Sequence, residues 1–417
     1  MTQFPPPLMT SDPGSFARAT ILSRKPQIIS QVIQNNDYPP EIIRALEAFR
    51  EEIASQPMQP LQESAPDVAG WNEALAVYAG RTWLEVPWYF AETFFYRKLL
   101  EATGYFRPGV EPGHDPFKKQ KDKQMAGLET DDIQRMAGEW EKFSALEAET
   151  LFEALLHSCL WGNRADLSNF TVKVKARGGL RARQERHLIL IDHTDQVHKI
   201  LSGGVRRVDF INDNVGSDLS FDLALADFLL RLGWAGEIHL HLKNQPFFVS
   251  DAMPEDVQQT VTLLKAAPSE AMAALGARLA DDLATHQLNL NTDPFWTSWL
   301  MFRQMPPGLL EQLAQSDLVL VKGDVNYRRL LDDLHWPHTT RIEEVTGYFP
   351  APFVTLRTLK GEIMVGLQPG QAQALQAEDP TWLINGKRGI IQLTVSGGTE
   401  HRSVGVRVVP KTNSTSL

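Results

Sequence analysis

"FINDNVGSDLSFDLALADFLLRLG", residues 210–233, decides the fold class. An apolar run ends on the adjacent pair Asp213–Asn214, and a helix-patterned segment follows at once. A tight hairpin would favour Asn-Gly there. A strand that stops on Asp-Asn and turns directly into a helix reads instead as a βα unit. Its polar turn either caps itself or aims ligands at an ion or phosphate. Similar short runs recur through the second half: "HLILIDH" (187–193), "EIHLHLK" (237–243), "DLVLVKGD" (317–324) and "PFVTLRTL" (352–359). Helix-patterned stretches, 218–232 and 254–286 among them, lie between these runs. Strands alternating with helices predict parallel βαβ units, so the expected class is α/β.

The first half has a different texture. "PPEIIRALEAFREEIASQ" (39–56) places Ile42, Ile43, Leu46 and Phe49 at helical spacing. "VPWYFAETFFYRKLLEATGYF" (86–106) is apolar nearly all round, the mark of a buried helix begun by Pro87. Within it Glu92 and Arg97 read either as a mutually satisfied buried pair or as a wall of a substrate pocket. "PGHDPFKKQKDKQM" (112–125) reads as a charged, solvated loop. "ARGGLR" (176–181) reads as a linker. The expected organisation is an extended arm (1–20), a helical domain (21–185), an α/β/α domain with a mostly parallel, Rossmann-like sheet (186–410) and a flexible tail (411–417).

Bulk composition removes several function classes. The 417-residue chain is 43% hydrophobic and 22% charged, a globular profile. Its formal net charge of -10 argues against a general nucleic-acid binder. The single cysteine, Cys159, excludes an intramolecular disulfide and a thiolate zinc cluster, and its apolar surroundings predict a buried thiol. No signal-peptide pattern opens the chain, and no apolar run approaches the ~20 residues of a membrane span. A soluble, cytoplasmic protein is expected.

In an open parallel sheet, ligands bind beyond the carboxyl ends of the strands. Those ends carry Asp213 and Asn214, Asp251, the segment "KGDVNYR" (322–328), and "RTLK" (357–360). Hard oxygen donors without thiolate or paired imidazole suit Mg²⁺ or Mn²⁺. Such a cation beside lysine and arginine is equipment for a phosphoryl group. His239 and His241 share one face of their strand, and packing is the favoured reading for both over metal ligation.

"DNVGSDLSFDLALADFLL", "FFVSD", "DPFWTSWLMF", "SDLVLVKGDVNYRRL" and "LRTLKGEIMVGL" together resemble the metal-dependent damage-control phosphatase family, and Arg357-Thr358-Leu359-Lys360 matches the RTxK signature of its subfamily III. The resemblance implies metal ligands at Asp213, Asn214 and Asp251. It implies a substrate loop of Asp324, Val325, Asn326, Tyr327 and Arg328, with Arg357 and Lys360 of the signature completing the substrate site. For a phosphatase so equipped, Asp213 and Asp324 are the catalytic candidates, Asp324 to orient the nucleophile or protonate the leaving alkoxide, or either to attack on a covalent aspartyl-phosphate route. It also implies a divalent cofactor (Mn²⁺, Ni²⁺, Co²⁺ or Mg²⁺) and small phosphosugars such as fructose 1-phosphate or fructose 6-phosphate. An S-adenosylmethionine-dependent protein-glutamate carboxyl methyltransferase is the alternative, weakened by the lack of a glycine-rich turn after the first strand. Where the family commonly carries an aromatic and then a longer acidic side chain, this chain has Ser217 and Asp218.

Overall fold

The structure, a computed structural model, describes residues 4–107, 113–126, 134, 138, 145–162 and 186–395. The linker assigned to 176–181 and the tail at 411–417 lie outside these residues. Seven strands form one sheet: β1 (Ile189–Asp192), β2 (Val205–Ile211), β3 (Ala235–Leu242), β4 (Leu288–Thr292), β5 (Leu318–Lys322), β6 (Phe353–Thr358) and β7 (Gly389–Thr394), in the order β1-β7-β6-β5-β2-β3-β4. From β6 to β4 every pairing is parallel. The pair β7–β1 runs the other way, because β7 is antiparallel to β6 and β1 is parallel to β7. The mostly parallel sheet expected from the sequence is therefore present, with a reversed edge that periodicity did not announce.

Central strands of such a sheet are covered on both faces and read as continuous apolar runs. In β2, Val208 and Phe210 join one core, with the helices Ala145–Trp161, Ser217–Arg231 and Pro254–Lys265, while Ile211 joins the core on the opposite face. The second face is closed by Trp88, Trp296, Phe302, Tyr327 and the chain that follows β6. A third apolar cluster belongs to the N-terminal helices, where Trp71 and Trp83 pack against Phe94 of the helix Trp88–Thr103. No helix among the described residues is long and apolar enough to cross a membrane.

The helix-patterned stretch 254–286 is helical, as two helices, Pro254–Lys265 and Glu270–Ala284, separated at Pro268, whose ring cannot continue an α-helix interior. Two expectations need correction. The N-terminal arm turns helical earlier than position 20, through Phe16–Ala19 and a π-helical turn at Thr20–Arg24. The charged segment 112–125 is not all solvated loop, since Lys118–Ala126 is a helix and Lys121 is fully buried. Its ammonium lies 3.0 Å from Asp115 and 2.8 Å from Asp256, at the start of the helix Pro254–Lys265. A count of charges along the sequence does not reveal that one lysine of the run has two buried carboxylate partners.

Removing that ammonium leaves two buried carboxylates without their cation. Lys121→Met should therefore destabilise the fold by about 3–5 kcal/mol, read as a shifted denaturation midpoint. An unchanged midpoint would mean that the triad contributes nothing to stability.

Candidate functional site

The site begins with how β2 stops. Asn212, Asp213 and Asn214 leave the sheet, and Gly216 takes φ 75 before the helix Ser217–Arg231 starts. The loop after β3 reaches back to meet them. Phe248 (φ 48) and Val249 (φ 68) occupy the left-handed region, which a β-branched residue enters only under constraint. That turn brings Ser250–Ala252 alongside Asp213–Val215. The Ala252 N–H donates to the Asp213 carbonyl (2.9 Å), the Val215 N–H donates to the Ser250 carbonyl (2.8 Å), and Asn214 bridges Asp251. Residues nearly forty positions apart in sequence are thus locked together by backbone.

Asp213, Asn214 and Asp251, the predicted ligand set, are brought together. Asn214 Nδ2 donates to Asp213 Oδ2 (2.8 Å) and to Asp218 Oδ2 (3.2 Å), and Ser250 Oγ donates to Asn214 Oδ1 (2.6 Å). Burial, with Asp251 and Asp218 close by, pushes the Asp213 carboxyl well above the usual range. Burial also pushes Asp251 and Asp218 up to about 6 each. Lys243, 3.4 Å from Asp251, is the counterweight at that end. Asp218 is a site residue that the sequence reading treated only as a departure from the family pattern. The signal was its place four residues after Asn214, which puts it on the first turn of the helix, facing back.

A second layer lies beneath. Lys322, at the end of β5, donates to Asp222 (2.6 Å) and to the Cys159 carbonyl (2.5 Å), and Asn212 donates to the other Asp222 oxygen (3.1 Å). Burial pushes the Cys159 thiol well above its ordinary value, so it is the inert buried cysteine expected. His241 is also accounted for: its Nε2 lies 2.8 Å from Asp209 Oδ2, and its ring edge rests on Trp296.

On the far side of the site, Arg357 Nε donates to Asp324 Oδ1 (2.7 Å), and the Lys360 backbone N–H donates to the same oxygen (3.2 Å). Burial would raise the Asp324 carboxyl, but Arg357 and Arg328 outweigh it and hold it below the usual range. Arg328 Nε donates to Asp333 (2.7 Å) and its guanidinium stacks 3.5 Å above the Trp88 ring. Its Nη1 and Nη2 are buried and have no hydrogen-bond partner among the described residues.

These groups share one cavity of about 290 Å³, walled by Asp213, Asn214, Asp251, Asp324, Val325, Arg328 and Lys360. Asp218, Lys322 and Glu92 line it as well. Asn326, Tyr327 and Arg357, predicted to bind substrate, are buried behind this wall. Asn326 donates to the Asn212 and Lys322 carbonyls (3.1 and 2.8 Å), Tyr327 accepts from the Val365 N–H (3.2 Å), and Arg357 is spent on Asp324, Gly361 and Ile363. Alternation along a short helix puts only some of the loop on the cavity side. Glu92 and Arg97 are not a pair: Glu92 takes Lys25 and faces the cavity, whereas Arg97 takes Glu63 and Asp67 away from it.

Gly323 sits between β5 and the helix Gly323–Leu330 with φ 85, and a Cβ there would collide with the Asp213 carboxylate. Gly323→Ala should cost about 1–3 kcal/mol in backbone strain and move Asp213. Activity should then fall further than the melting temperature accounts for. A variant with wild-type kcat/KM would show that Asp213 does not need its present place.

The family described as "Damage-control phosphatase ARMT1-like domain" matches residues 20–375. The chain is 32% identical to Damage-control phosphatase ARMT1 of Xenopus tropicalis, over 92% of this chain and 97% of that protein. It is 33% identical to the Danio rerio protein of the same name, covering 91% and 95% of the two chains. For the Homo sapiens protein the identity is 31%, with 94% and 99% covered. Among solved structures, a DUF89 family protein from Pyrococcus horikoshii aligns over 90% of this chain and 96% of its own at 14% identity, with a TM-score of 0.46, a likeness too slight to bear on the site.

Proposed function

Because the chain belongs to the damage-control phosphatase ARMT1-like family, we propose that its cavity hydrolyses small phosphorylated metabolites, sugar phosphates such as fructose 1-phosphate or fructose 6-phosphate foremost, with a divalent cation as cofactor. The observation that carries this reading is the charge layout of a single cavity of about 290 Å³. Its wall carries Asp213, Asn214 and Asp251 together with two unpaired guanidinium nitrogens of Arg328 and with Lys360, whose positive charge reaches Asp213 and Asp218. That volume suits one small ester rather than a polymer.

The donor set fits a hard cation. Two carboxylates and an amide are oxygen donors, and carboxyls pushed up by burial, Asp213 also by its acidic neighbours, gain from added positive charge. With only two carboxylates and one amide supplied by the chain, a cation here would keep solvent or substrate oxygens in its shell, the habit of Mg²⁺ and Mn²⁺ rather than of structural zinc. Mn²⁺, Co²⁺, Ni²⁺ and Mg²⁺ are the candidates. When bound, such an ion supplies Lewis-acid charge to the phosphoryl group and acidifies water.

The chain's own residues do the rest. Asp213, Asn214 and Asp251 would hold the ion. Arg328 and Lys360 offer N–H groups to the non-bridging phosphoryl oxygens, where negative charge must be offset. Asp324, kept ionised by Arg357, accepts a hydrogen bond from the attacking water and orients it, which its lowered proton affinity allows better than donation to a leaving alkoxide. Val325 shapes the wall, and Asn326, Tyr327 and Arg357 fix the loop that carries Asp324 and Arg328. A carboxyl methyltransferase reading gains nothing from the structure, for a gathering of buried carboxylates has no part in methyl transfer to a carboxylate.

Chelation should abolish hydrolysis of fructose 1-phosphate, and added Mn²⁺, Co²⁺, Ni²⁺ or Mg²⁺ should restore it. Full turnover after dialysis against excess chelator would remove the metal from the reaction.

Asp213→Asn separates ligand from turn residue, since asparagine serves a turn as well as aspartate. It also removes a charge that Asp251 and Asp218 repel, so in chelator the variant should melt no lower than the parent. Its kcat/KM with metal should fall by about a hundredfold or more, the cost of roughly 3 kcal/mol in the transition state. A normal melt with normal activity would return Asp213 to the role of a turn.

A further inference from the structure

The cavity has a polar group that phosphoryl binding leaves unused. Glu92 lies one turn after Trp88 on the helix Trp88–Thr103, and both line the cavity. It is 2% exposed, yet its Oε2 has no hydrogen-bond partner among the described residues. An unsatisfied buried carboxylate oxygen is expensive and calls for an explanation. The other oxygen, Oε1, accepts from Lys25. Lys25 is itself fully buried, with its ammonium 4.5 Å from the Phe95 ring centroid and 4.4 Å from that of Tyr96. That contact fixes the carboxylate and leaves Oε2 as a preset acceptor on the wall.

The surroundings limit what can donate to it. Arg328, with two unpaired nitrogens, lines the same cavity, and the Glu92 carboxylate favours its charged form. Arg24, in the π-helical turn, is an exposed cation on the rim. An ammonium group would enter against Lys25, Arg328 and Arg24. A second carboxylate would meet Glu92. A neutral hydroxyl does neither, since it donates to Oε2 and accepts from a guanidinium N–H at once.

We propose that Glu92 is a specificity-determining residue: its Oε2 accepts a hydrogen bond from a hydroxyl on the carbon skeleton of the substrate, so that the site selects polyhydroxylated phosphate esters over esters without hydroxyls. This rests on the phosphatase reading. A site built to bond a hydroxyl discriminates strongly against the analogue that lacks it, because the buried partner is then left unpaired.

The test compares kcat/KM for fructose 1-phosphate and for phenyl phosphate, in wild type and in Glu92→Gln, with Mn²⁺ present. The ratio of the two constants should fall at least about tenfold in the variant, as for a lost hydrogen bond to a charged acceptor. Parallel loss on both esters would make Glu92 merely structural, and an unchanged ratio would overturn the proposal while the phosphatase reading stood. Should Glu92→Gln fail to fold, the double variant Lys25→Met/Glu92→Met replaces the buried pair with apolar groups of similar size, and its ratio must fall likewise. If wild type turns over neither ester, the phosphatase reading fails on its own. Thermal protection by each ester then reads the same preference without turnover, and equal protection of wild type and variant by fructose 1-phosphate would overturn the role of Glu92.

Discussion

Asp213 and Asp251 are acids on two loops that backbone hydrogen bonds hold together, from the Ala252 N–H to the Asp213 carbonyl and across the Asn214–Asp251 bridge, so charge on both at once is repulsive. Neither carboxylate can retreat without breaking the crossing. Much of the surrounding structure answers that repulsion. Lys243 faces Asp251 from the end of β3, Lys322 faces Asp222 from the end of β5, and the Asn214 amide spans Asp213 and Asp218. Sequence makes this arrangement available only because β2, β3, β5 and β6 are parallel, so that all their carboxyl ends open on one edge of the sheet. The apolar cores on both faces supply the stability that lets a charged edge be tolerated.

The N-terminal segment belongs to this arrangement rather than decorating it. Leu8 donates its N–H to the Asp333 carbonyl, Met9 bridges Pro87, and Pro7 bridges Leu334. Asp332 and Asp333 both sit at positive φ (58 and 49), a strained turn that the strap holds in place. Asp333 in turn fixes Arg328 Nε, while Trp88, the first residue after Pro87, lies under the guanidinium. A segment early in the chain thereby sets where an arginine more than three hundred positions later points. The same helix that offers Trp88 also offers Glu92, so one element positions a cation and a carboxylate on the same wall.

Much of this was legible in the sequence, for identifiable reasons. The strand ends of β2, β5 and β6 were readable because apolar runs stop on polar residues, and parallel topology turns stops into neighbours. Two strands were not. β4, "LNLNT", alternates leucine with asparagine at a sheet edge, and β7, "GIIQLT", enters antiparallel, against the βαβ rhythm. Pairwise partners were also beyond reach. Nothing local says that Lys121 answers Asp115 and Asp256, or that Glu92 answers Lys25 rather than Arg97, since these pairings depend on how helices cross. Asp218 was visible as a letter but not as a site residue, because its meaning depends on the first turn of the helix pointing back at Asn214.

Asp213, Asp218, Asp251 and Asp324, which share the cavity with Glu92, are not four copies of one chemical group. Asp213, Asp218 and Asp251 lie where burial raises proton affinity, and Asp213 is raised further by Asp251 and Asp218, so added positive charge would favour their ionised forms. Asp324 lies on the side where burial is overruled by Arg357 and Arg328, and it stays ionised unaided. Environments that drive like groups apart are how one pocket divides its labour. Here the division follows from the fold: the loops after β2 and β3 bring acids together, while β5 and β6 bring Asp324 to an arginine that is already buried and already bonded to backbone. Asp324 is therefore supported by an arginine fixed to backbone, and Asp213 and Asp251 are carried by loops that backbone hydrogen bonds hold to each other.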